Sequence, residues 1–325
     1  MALTAESREG VVVAPHHLAA EAGRRVLADG GDAIEAMIAA ASTIAVVYPH
    51  MNSLGGDNFF LISDGDAPLA IDACGAAAWA ADISFYGDRD LAAIPARGPL
   101  AALTTAGAVS GWQMALEESQ RRGGDMPLAR LFEDAIHHAR NGAPVSGTLH
   151  RNCSEKLEEL IDIPGFSGTF LVDGIPIPEG DILRMPALAA TLEQLARAGL
   201  EDFYRGDVSG VIASDLENAG SPLTRADLEA HRALRVEPLN LATRWGDLYN
   251  LPPPTQGLAS LIILGLFDRL GCEVAEGFDH VHNLVEATKA AFRIRDREIT
   301  DPGHMGRPAG EFLTGDALDE MASTI

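Results

Sequence analysis

The chain has 325 residues, of which 47% are hydrophobic and 22% are charged, and its formal net charge is −23. This composition is typical of a globular protein, and the length allows one large domain or two ordinary ones. Nucleic-acid backbones and anionic membrane surfaces are bound by clustered lysine and arginine. The acidic balance therefore predicts neither a nucleic-acid partner nor a membrane partner.

The three cysteines, Cys74, Cys153 and Cys272, are widely spaced and odd in number. Such a pattern indicates neither a disulfide framework nor a zinc cluster, and it favours reduced thiols in a cytoplasm. Residues 1–17 contain no apolar signal region, and no stretch approaches the roughly 20 apolar residues that span a bilayer. A cytoplasmic protein is expected.

The first elements are predicted from local patterns. A run of valines predicts a short buried strand at residues 10–14, and residues 17–27 form a helical pattern. Asp32, with Glu35 three residues later, has the spacing of a capping box and begins a helix over residues 33–47. This helix is apolar on every side, which is typical of a helix buried within a layered domain.

A glycine-rich segment, residues 51–57, follows that helix and is called the glycine loop below. Two strands, 59–62 and 69–72, flank a turn and predict a hairpin. The remaining patterns predict helices within 104–148, 187–220, 258–270, 281–298 and 318–322, strands within 236–249, and a rigid proline loop at 251–257. A single α/β domain over residues 1–325 is the simplest interpretation.

No complete catalytic set is present in the sequence. The chain has no nucleophile elbow, no phosphate-binding P-loop and no dinucleotide fingerprint. The histidine pairs at 16–17, 137–138 and 280/282 lack the cysteine or carboxylate ligands of a zinc site. We therefore expect no metal and no cofactor. An α/β chain without a nucleophile and base is consistent with one part of a larger enzyme.

Motifs spread over nearly the whole chain resemble, in order, those of the γ-glutamyltransferase family. They lie at residues 30–36, 48–56, 70–72, 105–112, 126–128, 139–142, 202–206, 251–257 and 293–302. The resemblance implies a four-layer αββα N-terminal-nucleophile hydrolase fold. It also implies a precursor that cleaves itself before a threonine, which becomes the nucleophile of a small subunit. No catalytic residue is then expected in this chain, which would be the large subunit; we also allow for a dimer of such heterodimers.

One departure from the family pattern bears on the substrate. Transferases of the family have an arginine and a glutamate after the strand that ends in aspartate, and the arginine binds the α-carboxylate of the glutamyl group. Here Cys74 and Gly75 stand at those positions, after Asp72. A thiol cannot replace a bidentate guanidinium. The glycine loop and the residues around His16 instead resemble a cytoplasmic branch that includes oxamate amidohydrolases.

The leading hypothesis is therefore hydrolysis of a small amide, with oxamate as the most specific substrate. The residues expected near the substrate are His50, Asn52, Asp57, Asp72, Cys74 and Gly75.

Each of these residues also has a structural interpretation. Asn52 and Asp57 suit a turn held by side-chain to backbone bonds, and His50 suits a loop histidine packed on a helix end. Cys74 suits an inert core thiol, and Asp72 suits a residue that orders the loop.

Two other functions stay open. One is a γ-glutamyl transferase or hydrolase, or a cephalosporin-type acylase, whose specificity comes from the small subunit. The other is a non-catalytic scaffold or binding member of the family.

Overall fold

The computed structural model describes residues 4–272 and 274–325. Contacts divide the chain into two compact units. The first comprises Met1–Asn58 and Ala73–Ala233, and the second comprises Phe59–Asp72 and Leu234–Ile325. A single domain over residues 1–325 stays a prediction, because compact units defined by contacts are not by themselves independent domains.

The structure is a mixture of helices and short strands. The strands are β1 (Asn58–Ile62), β2 (Leu69–Ala73), β3 (Ala143–Pro144), β4 (Leu171–Val172), β5 (Ile175–Pro176), β6 (Ile182–Leu183), β7 (Leu234–Val236), β8 (Leu239–Thr243) and β9 (Gly246–Asn250). The α-helices are α1 (His17–Ala28), α2 (Ala33–Val47), α3 (Ile83–Gly87), α4 (Ala108–Arg121), α5 (Leu128–Leu131), α6 (Glu133–Asn141), α7 (Gly147–Glu155), α8 (Leu157–Leu160), α9 (Phe166–Phe170), α10 (Pro186–Ala198), α11 (Asp202–Arg205), α12 (Asp207–Ala219), α13 (Arg225–Ala230), α14 (Gly257–Arg269), α15 (Phe278–Glu298) and α16 (Gly315–Ala322). Two 3-10 helices cover Pro302–His304 and Ala309–Leu313.

Helix α2 is the centre of the first unit. It is buried along nearly its whole length and packs against α1, α4, α5 and α6. The predicted capping box is confirmed: the Asp32 carboxylate accepts a bond from the Glu35 N–H, and Glu35 accepts one from the Asp32 N–H, both at 2.8 Å. The other Glu35 oxygen accepts from the N–H of Met126 at 2.8 Å, and Ser119 donates to Asp32 at 2.7 Å. The cap thus also ties α2 to the segment after α4.

The second unit contains a three-stranded sheet in the order β1-β2-β7, with β2 and β7 antiparallel. The predicted strands at 59–62 and 69–72 are therefore confirmed as sheet neighbours. Strands β8 and β9 form an antiparallel hairpin, and a buried cluster joins β8 to α14, α15 and α16 through residues that include Leu241, Ile262, Ala287 and Leu318.

The strand predicted at residues 10–14 is wrong, because the segment has no regular secondary structure. Val11 and Val13 are 53% and 79% exposed, so the run of valines does not form a buried strand. Within residues 4–272 and 274–325 no strand pairs with it. A β-strand needs such a neighbour to satisfy its backbone groups, and a hydrophobic run alone cannot supply one.

Among residues 4–272 and 274–325, no helix combines the length and the apolar character that a membrane span requires.

We predict that Glu35→Ala lowers the free energy of unfolding by about 2–4 kcal/mol, because two part-buried N–H groups lose a charged acceptor. The unfolding of the full gene product in urea measures this change. Glu21→Ala is the matched control, since Glu21 forms solvent-exposed ion pairs with Arg24 and Arg25 on α1, and such pairs contribute less than about 1 kcal/mol. Equal effects of the two substitutions would contradict the role given to Glu35.

Candidate functional site

The glycine loop begins where α2 ends. The Tyr48 carbonyl accepts bonds from the N–H groups of Met51 and Asn52, at 3.2 and 3.3 Å, and these bonds turn the chain after Pro49. The Gly56 N–H donates to the Ser53 carbonyl at 3.3 Å, which closes the far end of the loop just before β1. The loop therefore has a defined backbone course from one element to the next.

The loop is attached to the start of α4 through one carbonyl. The Gly56 oxygen accepts bonds from the N–H groups of Gly107 and Ala108, at 2.9 and 2.8 Å. Helix α4 has no side-chain cap, so these bonds satisfy N–H groups that a helix start leaves without an intrahelical acceptor. The sequence did not predict this contact, because it joins backbone atoms that lie some 50 residues apart.

Tyr204 fixes the same helix start from another side. Its hydroxyl donates to the Ala106 carbonyl and accepts from the Ser110 N–H, both at 2.9 Å. Burial raises the pKa of Tyr204, because the phenolate would be poorly solvated. The hydroxyl therefore stays protonated and able to donate to Ala106.

The segment that contains Cys74 and Gly75 packs against the segment before α4 so closely that two glycines are required. A Cβ atom at Gly75 would lie 1.6 Å from the Thr105 carbonyl oxygen, and one at Gly107 would lie 1.8 Å from the Ala73 carbonyl oxygen. Real Cβ contacts are never so short. Gly75 thus has a packing reason to be glycine, independent of any contact with substrate.

Asp57 links the glycine loop to this segment, because its carboxylate accepts a bond from the Gly75 N–H at 3.4 Å. Two of the residues predicted to lie near the substrate are thereby in contact. The bond also supports the structural interpretation of Asp57 as a side chain that holds backbone in place. The role of these residues in substrate binding stays a prediction.

A cavity of about 350 Å³ lies behind the glycine loop, and three of the predicted site residues line it: His50, Asn52 and Asp57. The ring of His50 packs against Tyr48 with centroids 4.1 Å apart, as the structural interpretation of a histidine on a helix end anticipates. Yet both ring nitrogens are buried without a hydrogen-bond partner. Burial lowers the pKa of His50, so the neutral ring is favoured.

Two further lining residues with unpaired polar atoms were not singled out from the sequence. They are Asn58, the first residue of β1, and Trp112 of α4, which is 1% exposed. The Asn58 Oδ1 and the Trp112 Nε1 are both buried without a hydrogen-bond partner. Their positions, directly after Asp57 and at the end of the motif at residues 105–112, were the signal available in the sequence.

The other predicted site residues lie elsewhere. Cys74 is half-buried in the first unit, next to Gly75. Asp72 belongs to the second unit, where it stands opposite Leu234 in the pairing of β2 with β7. The structure therefore groups His50, Asn52 and Asp57 around one cavity, places Gly75 in contact with Asp57, and assigns Asp72 to a sheet.

A second, larger groove of about 610 Å³ also borders the first unit. The residues that line it are mostly apolar and include Leu54 of the glycine loop, Leu188, Phe203, Val208, Val211 and Leu228. The loop thus contributes residues both to the polar cavity and to the apolar groove. Among residues 4–272 and 274–325, no group of three histidine, cysteine or carboxylate side chains is placed to hold a metal ion.

Comparison with known proteins decides the family. The sequence pattern described as gamma-glutamyltranspeptidase matches residues 19–325. The chain belongs to the gamma-glutamyltranspeptidase family. It is 51% identical, over 98% of its length, to the oxamate amidohydrolase proenzyme of Klebsiella pneumoniae, and it spans 60% of that relative. The family resemblance found in the sequence is thereby confirmed.

Two solved structures show the same fold. The crystal structure of Helicobacter pylori gamma-glutamyltranspeptidase aligns over 99% of this chain and 93% of that one, with a TM-score of 0.90 and 25% identity. A cephalosporin acylase from Bacillus halodurans aligns over 99% of this chain and 62% of that one, with a TM-score of 0.86 and 28% identity. The αββα N-terminal-nucleophile hydrolase fold class predicted from the sequence is confirmed, whereas the assignment of residues 1–325 to a large subunit stays a prediction.

We predict that the protein loses stability as the pH falls below about 6.5, partly through His50. Burial lowers the pKa of His50 in the folded state, while the ring titrates near 6.5 in the unfolded chain. The stability from the neutral ring is therefore complete above about pH 6.5 and is lost as the pH falls through that value towards the lower folded pKa.

Thermal unfolding of the full gene product at pH 7.5 and pH 5.5 measures this loss. His50→Asn should reduce the difference between the two pH values, whereas replacement of the exposed His304 by Asn should leave the difference unchanged. A His50→Asn protein with the full pH dependence would show that this ring does not contribute. His16 and His138, whose pKa values burial also lowers, contribute to the part that remains.

Proposed function

We propose that this chain is the large subunit of an N-terminal-nucleophile amidohydrolase that hydrolyses a small amide, with oxamate as its substrate and oxalate and ammonia as products. The observation that carries the proposal is the likeness, over almost the whole chain, to a proenzyme named for oxamate hydrolysis. The loss of the family's arginine at Cys74 supports it, because a thiol cannot bind the α-carboxylate of a glutamyl group.

The proposed reaction needs a partner chain. The chain spans 60% of the relative, and we propose that the remaining part is a small subunit cut from the same precursor, with threonine as its first residue. The α-amine of this threonine would take the proton of its own hydroxyl, and the oxygen would attack the amide carbon. Hydrogen-bond donors would stabilise the tetrahedral oxyanion. The α-amine would pass this proton to the amide nitrogen, so that ammonia leaves, and water would then hydrolyse the ester to release the acid and the threonine.

We further propose that the large subunit forms walls of this active site through the glycine loop and the segment of Cys74 and Gly75. The bond between Asp57 and the Gly75 N–H supports this, since it holds the two segments together. A cytoplasmic location, a heterodimer and its pairing into a dimer of heterodimers belong to the same proposal. The three cysteines support the location, because they form no disulfide among the described residues.

The apolar groove favours a second candidate, an acylase that accepts a bulkier acyl group. Its lining of aliphatic side chains and Phe203 suits an apolar substituent better than a charged one. The likeness to a cephalosporin acylase agrees with this candidate. A γ-glutamyl transferase or hydrolase is a third candidate function. A scaffold without catalytic activity is the candidate that is not an enzyme.

We expect the full gene product to separate under denaturing conditions into two polypeptides that stay together under native conditions. It should release ammonia from oxamate, because the small subunit would supply a threonine nucleophile. Replacement of that threonine by alanine should abolish both the cleavage and the activity. A reading frame that encodes no threonine-led second chain would favour the scaffold, and turnover of a bulky acyl amide but not of oxamate would favour the acylase.

We also expect Cys74→Arg to shift the substrate preference towards γ-glutamyl compounds. The substitution restores a bidentate donor for the glutamyl carboxylate at the position where family transferases have arginine. The measurement is the ratio of kcat/KM for γ-glutamyl-p-nitroanilide to that for oxamate, which should rise by about tenfold or more, as expected for a charge-assisted bond. Cys74→Ser is the control and should leave the ratio unchanged. Efficient γ-glutamyl turnover by the unaltered protein would refute the inference from Cys74.

A further inference from the structure

Helix α15, the longest helix of the described residues, has two apolar faces. One face is buried, since Ala287, Ala290 and Ala291 belong to the cluster through which α15 packs on α14. The other face is open to solvent. It has large apolar side chains that are 38–80% exposed, and it is called the α15 stripe below: Phe278, Val281, Leu284, Val285 and Phe292. A helix that is apolar on opposite sides is typical of a helix buried on both.

The α15 stripe is continuous along the helix. Its residues recur every three or four positions, which places them on one side of an α-helix. Thr288 fills the interval before Phe292, and its hydroxyl donates to the Leu284 carbonyl at 2.7 Å, so this polar atom is satisfied within the helix. The charged residues of the same turns lie at other angles around the helix: Asp279, Glu286 and Lys289. An apolar surface about four turns long is therefore free of charge.

Aromatic rings extend this surface beyond α15. Trp245, in the turn between β8 and β9, is half-exposed, and its ring centroid lies 6.4 Å from that of Phe267 on α14. The Phe267 ring lies 5.2 Å from that of His280, in the first turn of α15. These residues and the α15 stripe all belong to the second unit. Exposed apolar patches of this extent mark surfaces that bind another polypeptide.

The apolar character of the surface indicates the kind of partner. Proteins that must stay soluble before they meet use interfaces about as polar as the rest of their surface. Permanent interfaces instead resemble a domain core cut in half. A small subunit cut from the same precursor folds together with this chain, so the surface would never be exposed in the finished protein. A second copy of this chain would leave it exposed until two finished molecules met.

We propose that the α15 stripe is a docking surface for the small subunit of the same precursor, which covers it with apolar side chains. The proposal rests on the proposed function, because that function requires a second subunit. The chain spans 60% of the oxamate amidohydrolase proenzyme, so that relative contains further polypeptide that could cover the stripe. High salt should leave the subunits together, since ions screen charges and do not weaken apolar contacts.

The test introduces the photo-crosslinking amino acid p-benzoylphenylalanine in place of Val281 in the full gene product. Irradiation should join this chain to the small subunit, in one species whose mass is the sum of the two. Asp279 is the matched control position, because it is exposed on the same turn and residues two apart point to nearly opposite sides of a helix. The probe at that position should give little of the joined species.

Three results would overturn the proposal. One is a crosslink from position 281 to a second copy of this chain, which would make the stripe an interface between copies. Another is an equal yield of the joined species from positions 281 and 279, and the third is no crosslink from position 281 at all.

A charge on the stripe should weaken the assembly. Val285→Asp should raise the rate at which the two polypeptides separate in urea by about tenfold or more, because a carboxylate covered by apolar groups has no partner. Arg293→Asp is the control, since it introduces the same side chain at an exposed position of the same helix outside the stripe. Equal rates in the two variants would contradict the proposal. Thermal unfolding shows whether each variant is folded, and the crosslink decides the question if Val285→Asp is not.

The outcomes also distinguish this inference from the proposed function. A crosslink from position 281 to the second polypeptide of a protein that does not hydrolyse oxamate leaves the docking surface standing and refutes the substrate. Oxamate turnover by a two-chain enzyme that gives no such crosslink refutes the docking surface and leaves the function standing.

Discussion

The carbonyl oxygen of Gly56 determines the geometry of the candidate site, because it accepts the N–H groups of both Gly107 and Ala108. This pair of bonds joins the glycine loop to the first turn of α4. The cavity has one wall on each side of that junction, with His50 and Asn58 on the loop side and Trp112 on the helix side. Were the junction released, these polar groups would no longer be held at a constant separation. Preorganised polar groups are what allow a site to bind a small ligand selectively.

The parts of the fold that depend on residues close together in the sequence were predictable. The capping box of Asp32 and Glu35, the buried helix that follows and the strands on either side of residues 63–68 are local patterns, and the structure has them at the expected positions. The prediction of a strand at residues 10–14 was wrong because it depended on a contact with a segment distant in the sequence. Whether a hydrophobic run pairs with another strand depends on a neighbour that the sequence does not specify.

The candidate site shows the same division. His50, Asn52 and Asp57 could be selected because they stand in or directly before the glycine loop, which resembles a segment of the family. The sequence could not predict the bond from Gly75 to Asp57 or the place of Trp112 in the cavity wall, because both arise from contacts between distant segments. Trp112 also has the sequence character of a core residue, and it is buried like one. Only its unpaired Nε1 distinguishes it, and that is a property of the folded chain.

The tight crossing beside Cys74 has a consequence for how the family diversifies. On one side, the Ala73 carbonyl faces Gly107, and on the other, Gly75 lies against the Thr105 carbonyl, so neither neighbour leaves room for the main chain to shift. An exchange of the side chain at position 74 would therefore leave the path of the backbone constant. A family member could gain or lose a positively charged side chain at position 74 through one substitution. New substrate preferences could then arise without an earlier change in the backbone.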